Sequence, residues 1–308
     1  MTFRDWLGRT CSYIRSDGVQ SGLRRSADEF KRGAATRIDP YVPGEPIFAH
    51  DWDVLIVLDA CRPDLLAEVA ESYDFLPRRP ETVRSTGSSS WIWMERNFTT
   101  DWANEMRETA YVTGNPYSSD YVDPSAFALV DEVWNYAWDD DHGTVPARPI
   151  TDRTIDTART HDPERLLVHY MQPHFPSVPD PIGSAIDIDT FGEQWESIWD
   201  DLEAERISEE RVWESYRTNL EYVLDDVALL LENVDAETVV ITADHGNALG
   251  ECGFYGHPPL NPHPSVRRVP WVETSARDTM GYEPSQEANR VDPSDGDVQS
   301  HLRDLGYL

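Results

Sequence analysis

Two places in the chain put ionisable side chains where an apolar run ends. Asp59 closes the run Asp53-Val-Leu-Ile-Val-Leu58, and Asp244-His245 follow the run Glu237-Thr-Val-Val-Ile-Thr242. A buried carboxylate without a partner is strongly unfavourable, so Asp59 either caps a following helix or meets something that uses its charge. Adjacent Asp and His side chains leave opposite sides of an extended strand, but a turn through Gly246 brings both onto one ion. Hard oxygen with imidazole suits Zn²⁺, Mn²⁺ or a related divalent cation.

The elements that must position these residues are those of a layered α/β domain. The runs 53–58, 165–170 and 237–242 have the continuous apolar pattern of strands buried on both faces of a sheet. Pro63 to Val69 reads as a helix. Residues 211–233 form the clearest helix, with Val212, Trp213, Tyr216, Leu220, Val223, Leu224, Val227, Leu230 and Leu231 recurring near the helical period. A helix feeding a buried strand, with polar residues at its carboxyl end, is how a doubly wound sheet builds a site. The expected class is therefore α/β, with a mostly parallel central sheet and helices on both faces. Residues 1–50 form an amphipathic arm and linker, 51–276 the catalytic core, and 277–308 a polar tail with a short helix at Asp297–Leu305. Residues 175–205, rich in Pro, Gly, Asp and Trp, read as a lid or insertion over the sheet edge.

The first motif is Leu58-Asp-Ala-Cys-Arg-Pro-Asp64, and the second is Val239-Val-Ile-Thr-Ala-Asp-His-Gly-Asn247. After the second come Leu249-Gly250-Glu251, Tyr255-Gly256-His257 and Arg268-Val269-Pro270-Trp271-Val272, while Tyr216, Asn219 and Leu220 lie on the preceding helix. In this order, over residues 51–275, the chain resembles the alkaline phosphatase superfamily and its sulfatase-like branch in particular. The resemblance implies that branch's core, here with no large C-terminal subdomain. It also implies a nucleophile held on a metal at a helix N-terminus downstream of Asp59. The segment Thr86-Gly87-Ser88-Ser89-Ser90 precedes the helical run from Trp91, and position points to Ser88, with Ser89 next. The plainer reading is three serines capping a helix.

The same resemblance makes His174, between Pro173 and Phe175-Pro176, a histidine that reaches substrate or metal, whereas His169, an isolated histidine, reads as structural. It makes His257 a ligand of a second metal or a substrate binder, with His263 as fallback. Asp59, Asp244, His245 and His257 would then hold one or two divalent ions (Zn²⁺, Mn²⁺, Mg²⁺ or Ca²⁺), with Arg62 and His174 balancing charge on the reacting group.

The departures from sulfatases bear on the substrate. Neither Ser88 nor Ser89 has the proline two residues on and the arginine four residues on that mark a formylglycine site. Cys61 is in the wrong place for the nucleophile, Ala60 replaces a second aspartate, and Lys31, the sole lysine, lies in the N-terminal arm. An unmodified serine acting on a phosphate mono- or diester follows, as hydrolase or transferase. The alternatives are a true sulfatase, or a decayed member that binds a glycan or lipid headgroup. The substrate or ligand would be a small molecule, a glycan or a lipid headgroup.

Charge speaks mainly of the solvent. With 57 acidic and 26 basic residues the chain carries −31, yet 11 Trp, 13 Tyr and 9 Phe separate it from acidic disordered chains. Such a surface repels nucleic acid. Carboxylates in excess with a single lysine fit a protein working in concentrated salt, where the Debye length is about 3 Å. Residues 1–50 are the exception, with eight basic and six acidic side chains against 18 and 51 in the remainder. There Phe3, Trp6, Leu7, Tyr13 and Ile14 can line one helix face, either docked on its own domain or, through residues 1–30, on a membrane surface. The segment from Asp39 to Pro46, with three prolines, reads as a linker. Cys11, Cys61 and Cys252 make no disulfide or zinc framework, and no secretory or membrane-spanning run stands out, so a cytoplasmic location is expected.

Overall fold

The structure, a computed structural model, describes residues 3–182 and 197–285. Among them, seven strands form one sheet: β1 (Val54–Leu58), β2 (Glu81–Arg84), β3 (Thr109–Thr113), β4 (Leu129–Glu132), β5 (Arg165–Tyr170), β6 (Ala236–Thr242) and β9 (Arg268–Ala276). A two-stranded ribbon pairs β7 (Ala248–Leu249) with β8 (Tyr255–Gly256). The order in the large sheet is β2-β9-β6-β1-β5-β3-β4. Strands β6, β1, β5, β3 and β4 run parallel, whereas β9 runs antiparallel to both β6 and β2. The expected mostly parallel α/β sheet is present.

Every residue of β1 is buried, because its two faces meet different layers. Val54, Ile56 and Leu58 pack with the helices Pro63–Val69, Ala147–His161 and Glu209–Leu231. Leu55 and Val57 face Trp93 and Met94 of the helix Ser90–Asn97, together with Phe48 and Trp52. The long helix starts at Glu209 because the Ser208 side chain accepts from the Arg211 N–H. It buries Val212, Tyr216, Leu220, Val223, Leu224, Val227 and Leu230 along one stripe.

The N-terminal arm is two helices, Phe3–Asp17 and Val19–Ile38, folded back on each other through Gly18 at φ +82°. A Cβ on Gly22 would lie 2.5 Å from the Ile14 nitrogen, so only glycine lets the backbones come this close. Trp6 Nε1 donates to the Ser26 carbonyl at 3.0 Å and Arg9 pairs with Glu29 at 2.5 Å. Trp6, expected on one face of the first helix, thus helps to join the pair. The helix stops at Ile38 before Pro40 as the linker reading requires, but the linker is fastened. Asp39 is buried and pairs with both Arg96 and Arg267.

After β9, the Arg277 and Thr279 N–H groups donate to the Leu231 and Glu232 carbonyls at the end of the long helix, and Arg159 pairs with Asp278 at 2.8 Å. Residues 183–196 of the expected lid (175–205) and the tail helix at 297–305 lie outside the described residues.

Candidate metal centre

The sheet order assembles the site. Strands β6, β1, β5 and β3 are neighbours, and their carboxyl ends carry Asp244-His245, Asp59, His169 and Asn115. This is the position where open parallel sheets place their ligands. The turn after β1 puts Ala60 at φ +64°, a left-handed conformation that is unfavourable for alanine. It is held by the Tyr216 hydroxyl, which donates to the Ala60 carbonyl, and by the Ala60 N–H, which donates to Asp244 Oδ1 at 3.0 Å.

Each of three side chains spends one polar atom on the protein and leaves the other aimed inward. Asp59 Oδ2 accepts from Asn115 Nδ2 at 2.8 Å and from the Ser90 hydroxyl at 3.2 Å, while Oδ1 has no partner. Asp244 Oδ1 accepts from the Ala60 and His245 N–H groups, while Oδ2 has none. His245 Nδ1 faces the Gly246 carbonyl at 3.1 Å, which leaves Nε2 as the acceptor nitrogen. Nε2 lies 3.5 Å from both Asp59 Oδ1 and Asp244 Oδ2. Two orphaned buried carboxylate oxygens and an imidazole nitrogen at that spacing match the edges of a tetrahedron with bonds of about 2.0–2.1 Å. The residues fit a divalent cation.

Burial, with the neighbouring Asp244 charge, holds the Asp59 carboxyl well above the usual range. Burial opposes the Asp244 carboxylate too, but His245 and His169 beside it hold it below that range.

Of the serines, Ser90 is the one that reaches the cluster, with Oγ 3.2 Å from Asp59 Oδ2 and 3.5 Å from His245 Nε2. The expectation named Ser88, with Ser89 next, and neither hydroxyl hydrogen-bonds the cluster. The Ser88 hydroxyl is fully buried and accepts instead from the Asn261 N–H at 3.2 Å. Ser89 is the residue before the helix, and its hydroxyl is buried without a partner. A Cβ on Gly87 would sit 2.4 Å from the Trp93 nitrogen, so the loop lies tight against the helix whose first residue is Ser90.

His174 and His257 stand beside the cluster with Nε2 atoms 2.9 Å apart, and the His257 ring lies 4.4 Å from that of His245. Burial pulls His174 down to about 4, and His257 well below its ordinary value. Next to His257 opens a cleft of about 290 Å³ lined by Trp199, Asp200, Phe254 and Tyr255 among others. Arg62 does not join the centre. Its guanidinium binds Asp64, Glu251 and the Asn247 carbonyl and lies over Trp213. His263 accepts from the Ser265 N–H at 3.2 Å and caps a short helix.

Reasoning from motifs missed Asn115 and underused His169. Asn115 follows a short strand and carries no local signal. His169 is wholly buried, faces the Tyr111 hydroxyl through Nδ1 at 3.0 Å, and leaves Nε2 unpartnered 3.7 Å from Asp244 and 3.8 Å from Asp59.

Several solved structures are similar in outline. The C-terminal periplasmic domain of phosphoethanolamine transferase EptC from Campylobacter jejuni is 15% identical, covers 72% of this chain and 78% of its own, and has a TM-score of 0.47. The integral membrane lipooligosaccharide phosphoethanolamine transferase A from Neisseria meningitidis is 14% identical, covers 91% of this chain and 60% of its own, and also scores 0.47. A protein in the alkaline phosphatase superfamily from Vibrio parahaemolyticus is 12% identical over 86% and 72% of the two chains, at 0.37. No curated protein sequence matches the chain. The family model named Sulfatase matches residues 85–281, more than half of the chain and the whole stretch from the serine loop through β9. The chain belongs to the sulfatase family.

Proposed function

We propose that this protein is a metal-dependent phosphoesterase, hydrolase or transferase, with Ser90 as its nucleophile. The observation that carries the reading is the Ser90 hydroxyl lying between Asp59 and His245, beside two carboxylate oxygens, Asp59 Oδ1 and Asp244 Oδ2, left unpaired by the protein. A divalent ion held by Asp59, Asp244 and His245 would supply the positive charge that favours the ionised serine and the charge developing on the ester.

The chain's own residues do the rest. Asp59 Oδ2 accepts the Ser90 proton in a hydrogen bond and keeps Oγ facing the cluster. Asn115 fixes Asp59 from the other side. Ser90 opens an eight-residue helix, whose N-terminal dipole favours an oxygen anion there. His174 and His257 hold neutral imidazoles at the mouth, where they can hydrogen-bond the ester or hold a second ion. The cleft past His257 has room for the remainder of the substrate.

Phosphate is favoured over sulfate by the nucleophile's surroundings. Ile92 and Met94 stand two and four residues after Ser90, where a formylglycine motif has Pro and Arg. Such a serine keeps its hydroxyl, and a phosphate ester offers oxygens whose charge cations can match. The complete cluster argues against a decayed binding protein. The test combines elemental analysis with turnover of matched aryl phosphate, phosphodiester and sulfate substrates. Phosphate turnover above sulfate, with metal lost from Asp244→Ala, is the expected result. Sulfate turnover above phosphate, or full metal occupancy in Asp244→Ala, contradicts it.

A further inference from the structure

We infer that the N-terminal helical pair is a docking surface for an anionic lipid bilayer, applied through the outer face of its second helix. Six large apolar side chains are exposed among the described residues, and five of them lie between Val19 and Tyr41. Val19, Leu23 and Phe30 are 63%, 50% and 59% exposed, and their spacing sets them within a narrow arc of the helix Val19–Ile38. Ile38, 51% exposed, adds apolar surface at the helix end, to one side of that arc. The first helix packs along the adjoining flank of this helix, through Gly22, Ser26 and Glu29, and its Trp6 ring meets the edge of the stripe at Phe30. The stripe remains open after the pair has packed: Val19 and Leu23 are at least half exposed, and so is Phe30 despite its contact with Trp6.

Charge selects the occupant. Residues 3–38 carry eight basic and four acidic side chains, a net of +4 on a chain of −31. Apolar side chains beside basic ones on an interfacial helix match the acyl boundary and headgroups of an anionic bilayer. A second copy fits less well. Pairing two such faces would bring like charges together, and the body of another molecule offers Met280 as its one exposed large apolar side chain beyond residue 41 among the described residues. No helix among the described residues is long and apolar enough to cross a membrane, so the contact is peripheral.

The test is flotation of the full chain with phosphatidylglycerol or phosphatidylcholine vesicles, at the lowest salt that keeps it folded by circular dichroism. Wild type should float with the anionic vesicles in preference to the neutral ones. Leu23→Glu with Phe30→Glu should weaken this by at least about tenfold, as two apolar contacts are lost and charges of the wrong sign are added. Val19→Glu with Leu23→Glu, which spares the Phe30 contact with Trp6, should do the same. Met280→Glu should change nothing. Absence of flotation by wild type, or equal flotation by both double variants, overturns the inference. A dimer by light scattering that these variants dissolve, without lipid binding, assigns the face to a second copy.

Discussion

Asp39, the first residue after the N-terminal helices, forms a buried ion pair with Arg267, the residue before β9, and each is only 1% exposed. Arg267 also donates to the Ser85 carbonyl, while Arg96, the second partner of Asp39, donates to the Thr86 carbonyl. Arg96 lies on the helix that Ser90 begins. One carboxylate thus ties the arm, the serine loop and the last strand together.

Removing one partner of a buried pair leaves the other charge uncompensated. Asp39→Ala should therefore cost about 3–5 kcal/mol in urea unfolding. A loss below about 1 kcal/mol would show that the pair holds little.

Acid should weaken the metal-free protein through its histidines. Burial lowers His169 and His174 to about 4, and His257 is held well below its ordinary value, against about 6.5 in the unfolded chain. Between pH 6.5 and 4 the unfolded state binds more protons at these sites. Their contribution is therefore complete above 6.5 and is lost as pH falls toward 4. The raised Asp59 carboxyl works in the opposite direction, so the measurement is a difference. After chelation, wild type should lose stability relative to His174→Gln from pH 6.5 to 4.5. Parallel curves would contradict this.

The net charge of −31 leads to a salt prediction. If the surface needs screening, the chain should lose its circular dichroism signal near 0.1 M KCl and recover it by about 3 M. Equal folding at both would refute the high-salt reading.

Much of this protein could be read from local pattern. The strands at 53–58, 165–170 and 237–242 were visible because burial on both faces writes an unbroken apolar run, and they appear as Val54–Leu58, Arg165–Tyr170 and Ala236–Thr242. Asp59 and Asp244-His245 were visible because they interrupt such runs. Strand β3 (Thr-Ala-Tyr-Val-Thr) and strand β4 (Leu-Val-Asp-Glu) interrupt the apolar run with polar residues, and the helix Ala147–His161 is dense in Thr, Arg and Asp, so none of the three announces itself. Asn115 and His169 matter only because β3 and β5 lie next to β1, a relation of sheet order that no local pattern contains. Among three consecutive serines, the choice turns on where the helix starts. Ser90 faces the cluster as its first residue, whereas Ser88 turns toward Asn261.

That choice is the point on which the functional account rests, and turnover of an aryl phosphate by metal-loaded Ser90→Ala, beside Ser88→Ala, tests it most directly. Ser90→Ala should lose at least about a thousandfold in kcat while retaining its metal, because the nucleophile is gone and three ligands remain. Ser88→Ala should stay within about tenfold of wild type, since its hydroxyl only accepts from the Asn261 backbone. Full activity in Ser90→Ala, or loss in Ser88→Ala with Ser90 intact, would contradict the account.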